Sequence, residues 1–393
     1  MDVTEKVDLI KRPPTEEIVT EEELVELFKI NSKPKHYIGF EISGFLHLGS
    51  LLTTGYKIND FIKAGVDCTV FLADWHTIIN EKLSSNEENI SKVSKYYKEA
   101  FETVCPGVHV KTGSELYAEE QSGEYWRDLI RFTKHMSLAR TMRTLTIMGR
   151  SEKEEKVDLA KLLYPPMQAL DIRYLDLDIV HAGMDQRKIH MLVRDNFPKM
   201  GKDWKVPVAV HHKLLPGLTK PGEPNVSNLQ LNTGDSILKN DSGKIILNKM
   251  SKTNPNSTIF IHDSPDEVRT KIKKAWCEEG NIENNPLLEI SEQILFRNYN
   301  EIPVERPEKF GGKVSFSEYS EMKLAFAKKE LHPTDLKQTV AELLVKISWM
   351  KFFFYKSQFQ LFIFRKTNIS PKFFGSFHLH FIIIMKQNLF RNF

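Results

Sequence analysis

Gly44-Phe45-Leu46-His47-Leu48-Gly49-Ser50 and Lys249-Met250-Ser251-Lys252-Thr253 stand about two hundred residues apart in this chain. The first follows an apolar run and opens a helical one, the place where α/β nucleotide-binding folds hold phosphates. His47 can offer hydrogen-bond donors there, and Gly49 leaves room for close approach of a planar base. The second sets two lysines and its hydroxyls, Ser251 among them, on a polar loop rich in Asn and Pro. Activating a carboxylate with ATP needs donors and positive charge around the α-phosphate, and mobile lysines suit charge that exists only in the transition state. Taken singly, each motif has a plain alternative, a structural histidine or a solvated lysine loop. Their order and flanks together favour adenylate chemistry.

Other readings of the same residue types fare worse. Gly39-Phe-Glu-Ile-Ser-Gly44 has the glycine spacing of a P-loop, but Phe45-Leu46 replaces the required Lys-Ser/Thr, and no Gly-x-Gly-x-x-Gly follows a strand. His211-His212 has no third ligand at a metal-like spacing. Cys68, Cys105 and Cys277 are widely spaced, which argues against a disulfide framework or a cysteine zinc site and reads as ordinary reduced thiols.

The positioning elements follow from periodicity. Residues 15–30 read as an outer helix, with Leu24, Leu27 and Phe28 on one face after a Thr20-Glu-Glu-Glu start resembling a capping box. Tyr37 to Glu41 is a short strand, His47 to Ala64 a helix, and Val66 to Ala73 a buried parallel strand, which makes a βαβ unit. Helices are expected over 92–103, 123–147, 159–175 and 184–196, strands at 108–111, 178–183 and 206–211, and Pro165-Pro166 should start or kink the third of those helices. Arg140, Arg143 and Arg150 line one helix and its exit, a spacing usual for a solvated face. Tyr164, Gln168 and Asp171, at i, i+4 and i+7, share one helical face, and Gln and Asp are poor core residues unless paired. Ser236 to Leu247 fits two short strands around Asp-Ser-Gly. Asp263-Ser-Pro-Asp-Glu starts a helical region running to Ile347, so a domain boundary falls near residue 262.

The chain has 393 residues, 27% of them charged, enough for two domains. Its first twelve residues carry no apolar leader, and a cytoplasmic protein is the default expectation. Residues 348–393 differ abruptly: 12 are Phe, seven are Lys or Arg, and none is acidic, so without them the formal +3 charge of the chain turns negative. Nucleic-acid binding would therefore come from local patches. The tail reads as the product of A- and T-rich codons translated through a frameshift or past a lost stop. A membrane or partner anchor and a folded extension are the alternatives, although no stretch reaches the apolar length of a membrane span.

The two motifs resemble the His-x-Gly-His and Lys-Met-Ser-Lys-Ser signatures of class I aminoacyl-tRNA synthetases. Tyr37-Ile-Gly-Phe-Glu-Ile-Ser-Gly, Leu72-Ala-Asp-Trp-His, Tyr164-Pro-Pro-Met-Gln-Ala-Leu-Asp, Gly183-Met-Asp-Gln-Arg-Lys-Ile-His-Met and Arg306-Pro-Glu-Lys-Phe-Gly-Gly resemble the tyrosyl-tRNA synthetases of archaeal and eukaryotic type, over about residues 8–347. The resemblance implies a Rossmann-like parallel-sheet catalytic domain (1–262) with a helical insertion (about 115–160) forming a homodimer interface. An all-α anticodon-binding domain (263–347) would follow. It implies that Tyr37 and Asp171 bind a substrate phenol, that Tyr164, Gln168 and Gln186 hold its α-amino group, and that Glu41 lines the same pocket. His47, Lys249 and Lys252 would be catalytic, and Gly49, Ser251 and Lys252 would bind ATP, which brings Mg2+ on its phosphates; no protein metal site is expected. Arg143, Arg187 and Lys188 would contact the acceptor stem of tRNA(Tyr), and Phe310, His332 and Asp335 its anticodon. L-tyrosine, ATP and tRNA are thus the implied partners, with no membrane. The chain departs from the pattern in having Ser50 for the second histidine, Lys252 where archaeal relatives often have serine, and a longer segment over about 219–247. Tryptophanyl-tRNA synthetase is the nearest rival, since Asp171 alone could serve an indole N–H. A non-catalytic RNA-binding paralogue is the rival from another class.

Overall fold

The computed structural model describes residues 1–118, 122–149, 157–221, 237–239, 245–252 and 254–347. Its centre is a six-stranded sheet built from β1 (Thr15–Val19), β2 (Lys35–Phe40), β3 (Asp67–Leu72), β4 (His109–Thr112), β5 (Ile179–Gly183) and β6 (Val208–His212), in the order β1-β6-β5-β2-β3-β4. All neighbours run parallel except β1, which pairs antiparallel with β6. From β2 the chain moves outward to β3 and β4, and later returns to β5 on its other side. The strand order therefore reverses between β2 and β5, and a crevice opens beyond their carboxyl ends.

β1 corrects the sequence reading of 15–30 as one helix. Thr15, Ile18 and Val19 are β-branched and follow Pro13-Pro14, and the exposed edge of β6 supplies partners for their backbone. The helix begins only at Glu21 and runs to Ile30, with Thr20 as its cap in the expected box with Glu23. The expected helix over 123–147 is likewise two, Ser122–Thr133 and Leu138–Thr144, the second capped by Ser137. The expected helix from Met184 is a 3₁₀ turn, Met184–Gln186, leading into Arg187–Met200. Sequence periodicity also missed the first helix, Val3–Lys11, which Asp2 and Glu5 cap reciprocally.

Helix Leu159–Tyr174 forms as read, with Pro165 and Pro166 inside it. These prolines remove two backbone donors at the turn that carries Tyr164. Helices Ser122–Thr133 and Leu159–Tyr174 are joined by Tyr174 Oη donating to Asp128 Oδ2 (3.1 Å) and Tyr125 Oη lying 3.1 Å from the Met167 carbonyl. The short strands Ile237–Lys239 and Ile245–Asn248 pair antiparallel as expected, while the Asp-Ser-Gly turn between them lies outside the described residues. So do Arg150, Thr253 and the tail from Ser348.

Beyond residue 262 the chain is mainly helical, starting at Pro265–Lys274 under a Ser264/Glu267 capping box. A two-stranded ladder, Ile302–Val304 with Val314–Phe316, is the one departure from helix that periodicity did not indicate among the described residues. Arg297 donates to Asp60 Oδ1 at 2.6 Å and Asn298 to Tyr56 Oη at 2.8 Å, tying this region to helix Thr54–Lys63.

Candidate active site

The cavity beyond β2 and β5 is lined by both opening motifs. His47 caps a π-helical turn, Leu48–Thr53: its Nδ1 accepts from the Ser50 amide (3.3 Å), and Ser50 Oγ accepts from the His47 amide (2.9 Å). Ser50 thus holds the histidine in place. Because Nδ1 is an acceptor, the ring proton sits on Nε2 in the assigned tautomer. Burial, reinforced by the charges of Lys252 and Lys249, lowers the His47 pKa to about 3, so it acts as a neutral donor. A Cβ at Gly49 would stand 3.3 Å from Leu215 Cβ and 3.4 Å from His47 Cε1, so a side chain there would press on the histidine.

The two motifs are joined through the backbone. Leu48 N donates to the Ile259 carbonyl (3.0 Å) and Ile261 N to that of Leu46 (3.1 Å), so the segment after the lysine loop runs antiparallel to the histidine motif. Met250 is buried and its amide bonds to the Leu215 carbonyl at 2.9 Å. Thr258 Oγ1 accepts from the Ser251 amide (3.1 Å), which fixes the loop with both lysines toward the cavity. Lys249 Nζ pairs with Asp185 Oδ2 at 2.8 Å, and Lys252 Nζ reaches Ser43 Oγ at 3.1 Å and the Tyr97 hydroxyl. Burial opposes ionisation of Asp185, but the Lys249 charge overcomes it and keeps the carboxyl below its ordinary range.

Deeper in the cavity, Tyr37 and Asp171 are each 1% exposed. Asp171 Oδ1 accepts from Tyr117 Oη (2.9 Å) and Tyr125 Oη (2.8 Å), while its Oδ2 has no hydrogen-bond partner. Burial raises the Asp171 pKa to about 7, against the pull of the two tyrosine bonds. Burial and the neighbouring Asp171 charge also raise that of Tyr37, which keeps its proton. Gln168 Nε2 lies 3.4 Å from Gln186 Oε1, and its own Oε1 is buried without a partner, an acceptor of the kind an ammonium needs. Gln186 in turn donates to the Ile147 carbonyl (2.9 Å). Tyr164 packs edge-on against His76 at 4.5 Å, and Glu41 Oε1 accepts from Asn80 Nδ2 at 2.5 Å.

Sequence reasoning named neither Tyr117 nor Tyr125, whose types read as core aromatics. His76 and Asp185 also line the cavity; both sit inside motifs of the sequence, where residue type alone did not mark them. His76 carries two ring nitrogens without partners, and Nε2 stands 3.7 Å from Asp171 Oδ2.

Of the expected RNA contacts, Arg143 and Lys188 are exposed and adjacent, Lys188 Nζ standing 3.4 Å from the Arg143 carbonyl. Arg187 is clamped side-on by Glu17 of β1, at 2.8 Å from both Nε and Nη2. Phe310 is 62% exposed on a turn that Arg306 braces, donating to Gly312 O (2.7 Å) and Glu330 O (2.8 Å). His332 and Asp335 open the helical residues 333–347, Asp335 N donating to the His332 carbonyl at 3.1 Å. His211 and His212 bond to Glu17 and His181, and no cluster of three metal-ligating side chains occurs among the described residues.

The sheet order, the paired motifs and the buried carboxylate define a nucleotide-using ligase site, and a model of the tRNA synthetases class I (W and Y) matches residues 29–348. The chain belongs to that class. Tyrosine–tRNA ligases of Thermococcus sibiricus (361 residues aligned) and Pyrococcus horikoshii are each 44% identical to it, over 88% of this chain and 93% of theirs. The crystal structure of tyrosyl-tRNA synthetase complexed with L-tyrosine from Pyrococcus horikoshii matches with a TM-score of 0.81 and 40% identity, covering 93% of this chain and all of that one. Within the class, the chain falls in the tyrosine–tRNA ligase family.

Proposed function

We propose that the protein joins L-tyrosine to tRNA(Tyr). Tyrosine's carboxylate oxygen attacks the α-phosphorus of ATP, the bond to pyrophosphate breaks, and a ribose hydroxyl of the tRNA's terminal adenosine then takes the tyrosyl group from the adenylate, releasing AMP. The observation that carries this reading is the unpartnered Asp171 Oδ2 beside Tyr37 in a buried pocket. A phenol both donates and accepts: its proton goes to Asp171, and its oxygen accepts from the Tyr37 hydroxyl. Phenylalanine leaves both groups unpaired, which is the strongest kind of rejection a pocket can build, and tyrosyl-tRNA synthetases are themselves the standard instance of it. An indole N–H would satisfy Asp171 alone, which disfavours tryptophan.

Tyr164, Gln168 and Gln186 take the α-ammonium, and Glu41 borders the pocket. His47 Nε2–H, Lys249 and Lys252 stabilise charge on the departing phosphates, with Gly49 and Ser251 contacting ATP. Magnesium arrives with ATP and is held mainly by phosphate oxygens. Lys249 must leave Asp185 to reach the phosphates. Arg143, Arg187 and Lys188 face the acceptor stem, and the mainly helical residues 263–347 read the anticodon through Phe310, His332 and Asp335, where a carboxylate can accept from guanine and rings can stack. Exposed Ile130 and Leu138 on the 115–160 insertion fit a homodimer interface in a cytoplasmic enzyme. No helix among the described residues is long and apolar enough to cross a membrane.

Charging of tRNA(Tyr) with labelled tyrosine tests the reading. Acid-precipitable tyrosine dependent on ATP is expected, and its absence, with folded protein and intact tRNA, contradicts it.

A further inference from the structure

Tyr117 and Tyr125 have no role in the ligation chemistry proposed for the site, yet both close on one oxygen of its key carboxylate, at 2.9 and 2.8 Å from Asp171 Oδ1. Asp171 Oδ2, equally buried, has no partner. We propose that Tyr117 and Tyr125 are positioning residues that set specificity for a phenol: donating together to Oδ1, they favour the ionised form of Asp171 and turn it so that Oδ2 is the acceptor left for the substrate hydroxyl. This deepens the tyrosine reading and rests on it.

Proton accounting supports the assignment. An oxygen that accepts two O–H donors has both in-plane lone pairs committed, so it cannot also carry the carboxyl proton. Tyr125 Oη also lies 3.1 Å from the Met167 carbonyl, but its single proton favours the charged acceptor. The groups facing Asp171 come from several elements: Tyr37 on β2, Asp74 and His76 on helix Asp74–Ile79, Tyr117 on helix Gly113–Tyr117 and Tyr125 on helix Ser122–Thr133. Burial lowers the His76 pKa to about 4, so it brings no positive charge at neutral pH, and the Asp74 charge pushes the Asp171 carboxyl further up. The two tyrosine hydroxyls are what oppose burial. With one removed, the balance at neutral pH moves further toward the protonated carboxyl and Oδ2 or Oδ1 becomes a donor, leaving the substrate O–H without its acceptor.

A purely structural role is separable. The two rings pack on each other at 5.0 Å and on Trp126 at 5.9 and 5.1 Å, and phenylalanine preserves those contacts. The test is Tyr117→Phe and Tyr125→Phe, assayed by pyrophosphate exchange with L-tyrosine and with L-phenylalanine across about two pH units either side of neutrality. Each variant is expected to raise KM for tyrosine about tenfold at neutral pH with kcat little changed, to lower the tyrosine-to-phenylalanine ratio by the same factor, and to recover as pH rises. Ratios and pH profiles within about twofold of wild type in both variants overturn the proposal. A variant that loses its thermal transition also counts against it, because the hydroxyl is then structural. Wild-type protein that exchanges no tyrosine instead removes the reading on which the proposal rests.

Discussion

Asp171 is the residue we propose to decide the substrate, and its environment predicts a pH signature. Burial raises its pKa to about 7, well above the ordinary carboxylate value, so the free protein near neutrality holds a mixture of protonated and ionised carboxyl. A phenol needs the ionised form. The kcat/KM for tyrosine is therefore expected to climb with pH through about 7 and to level off above it, the sign following from a raised acid pKa. His47 adds no inflection in that window, because its pKa is about 3 and it stays neutral throughout. In Asp171→Asn the climb should vanish and kcat/KM for tyrosine fall by about 2–3 kcal/mol, roughly 30- to 150-fold, as expected on losing a charged hydrogen bond. A variant that keeps the wild-type profile contradicts the role of this carboxylate. Much of the site was legible in residue type and spacing: Tyr164, Gln168 and Asp171 do share one face, and His47 and the lysines do line one cavity. The resemblance to a known family carried Tyr37 and Gln186. Tyr117 and Tyr125 were not legible, because a buried tyrosine that packs in the core and one that donates to a carboxylate have the same sequence signature.

Elements bring those residues to the crevice beyond β2 and β5, and one buried lysine secures the first of them. Lys57, on helix Thr54–Lys63 directly after the His47 turn, is fully buried. Its Nζ donates to the carbonyls of Leu9 (3.0 Å), Ile10 (2.6 Å) and Arg12 (3.1 Å), at the end of helix Val3–Lys11, and lies 3.5 Å from Asp60 Oδ2. Lys57→Met keeps the length but strands three carbonyls, so a loss of about 3–5 kcal/mol is expected. Equilibrium urea unfolding checks it, and an unchanged midpoint refutes the staple. Periodicity recovered the parallel strands and the helices between them because burial on both faces leaves apolar runs. It failed at Thr15–Val19, where Glu-rich composition favours helix but a tertiary partner, the edge of β6, decides the outcome. It also failed at 134–137, where a turn interrupts a helical pattern that continues on either side.

Across the whole molecule, adenylate formation and RNA reading are assigned to different regions, so they should be separable. Asp335→Ala, at the start of the helical residues 333–347, is expected to cut kcat/KM for tRNA at least tenfold while tyrosine-dependent pyrophosphate exchange stays within twofold of wild type, a loss of about 1.4 kcal/mol or more confined to one substrate. Equal loss in both assays contradicts the division of labour. Deleting residues 348–393 should leave charging unchanged, and a drop in charging shows that the tail contributes. Composition alone flagged that tail, whereas the pairing of 258–261 with the histidine motif could not be read from sequence, since nothing local marks two segments two hundred residues apart as neighbours. The central claim, that this pocket selects a phenolic amino acid and activates its carboxylate with ATP, is tested most directly by pyrophosphate exchange driven by each amino acid in turn. Exchange with tyrosine, and not with phenylalanine or tryptophan, is the predicted result; exchange with tryptophan alone, or with none, contradicts it.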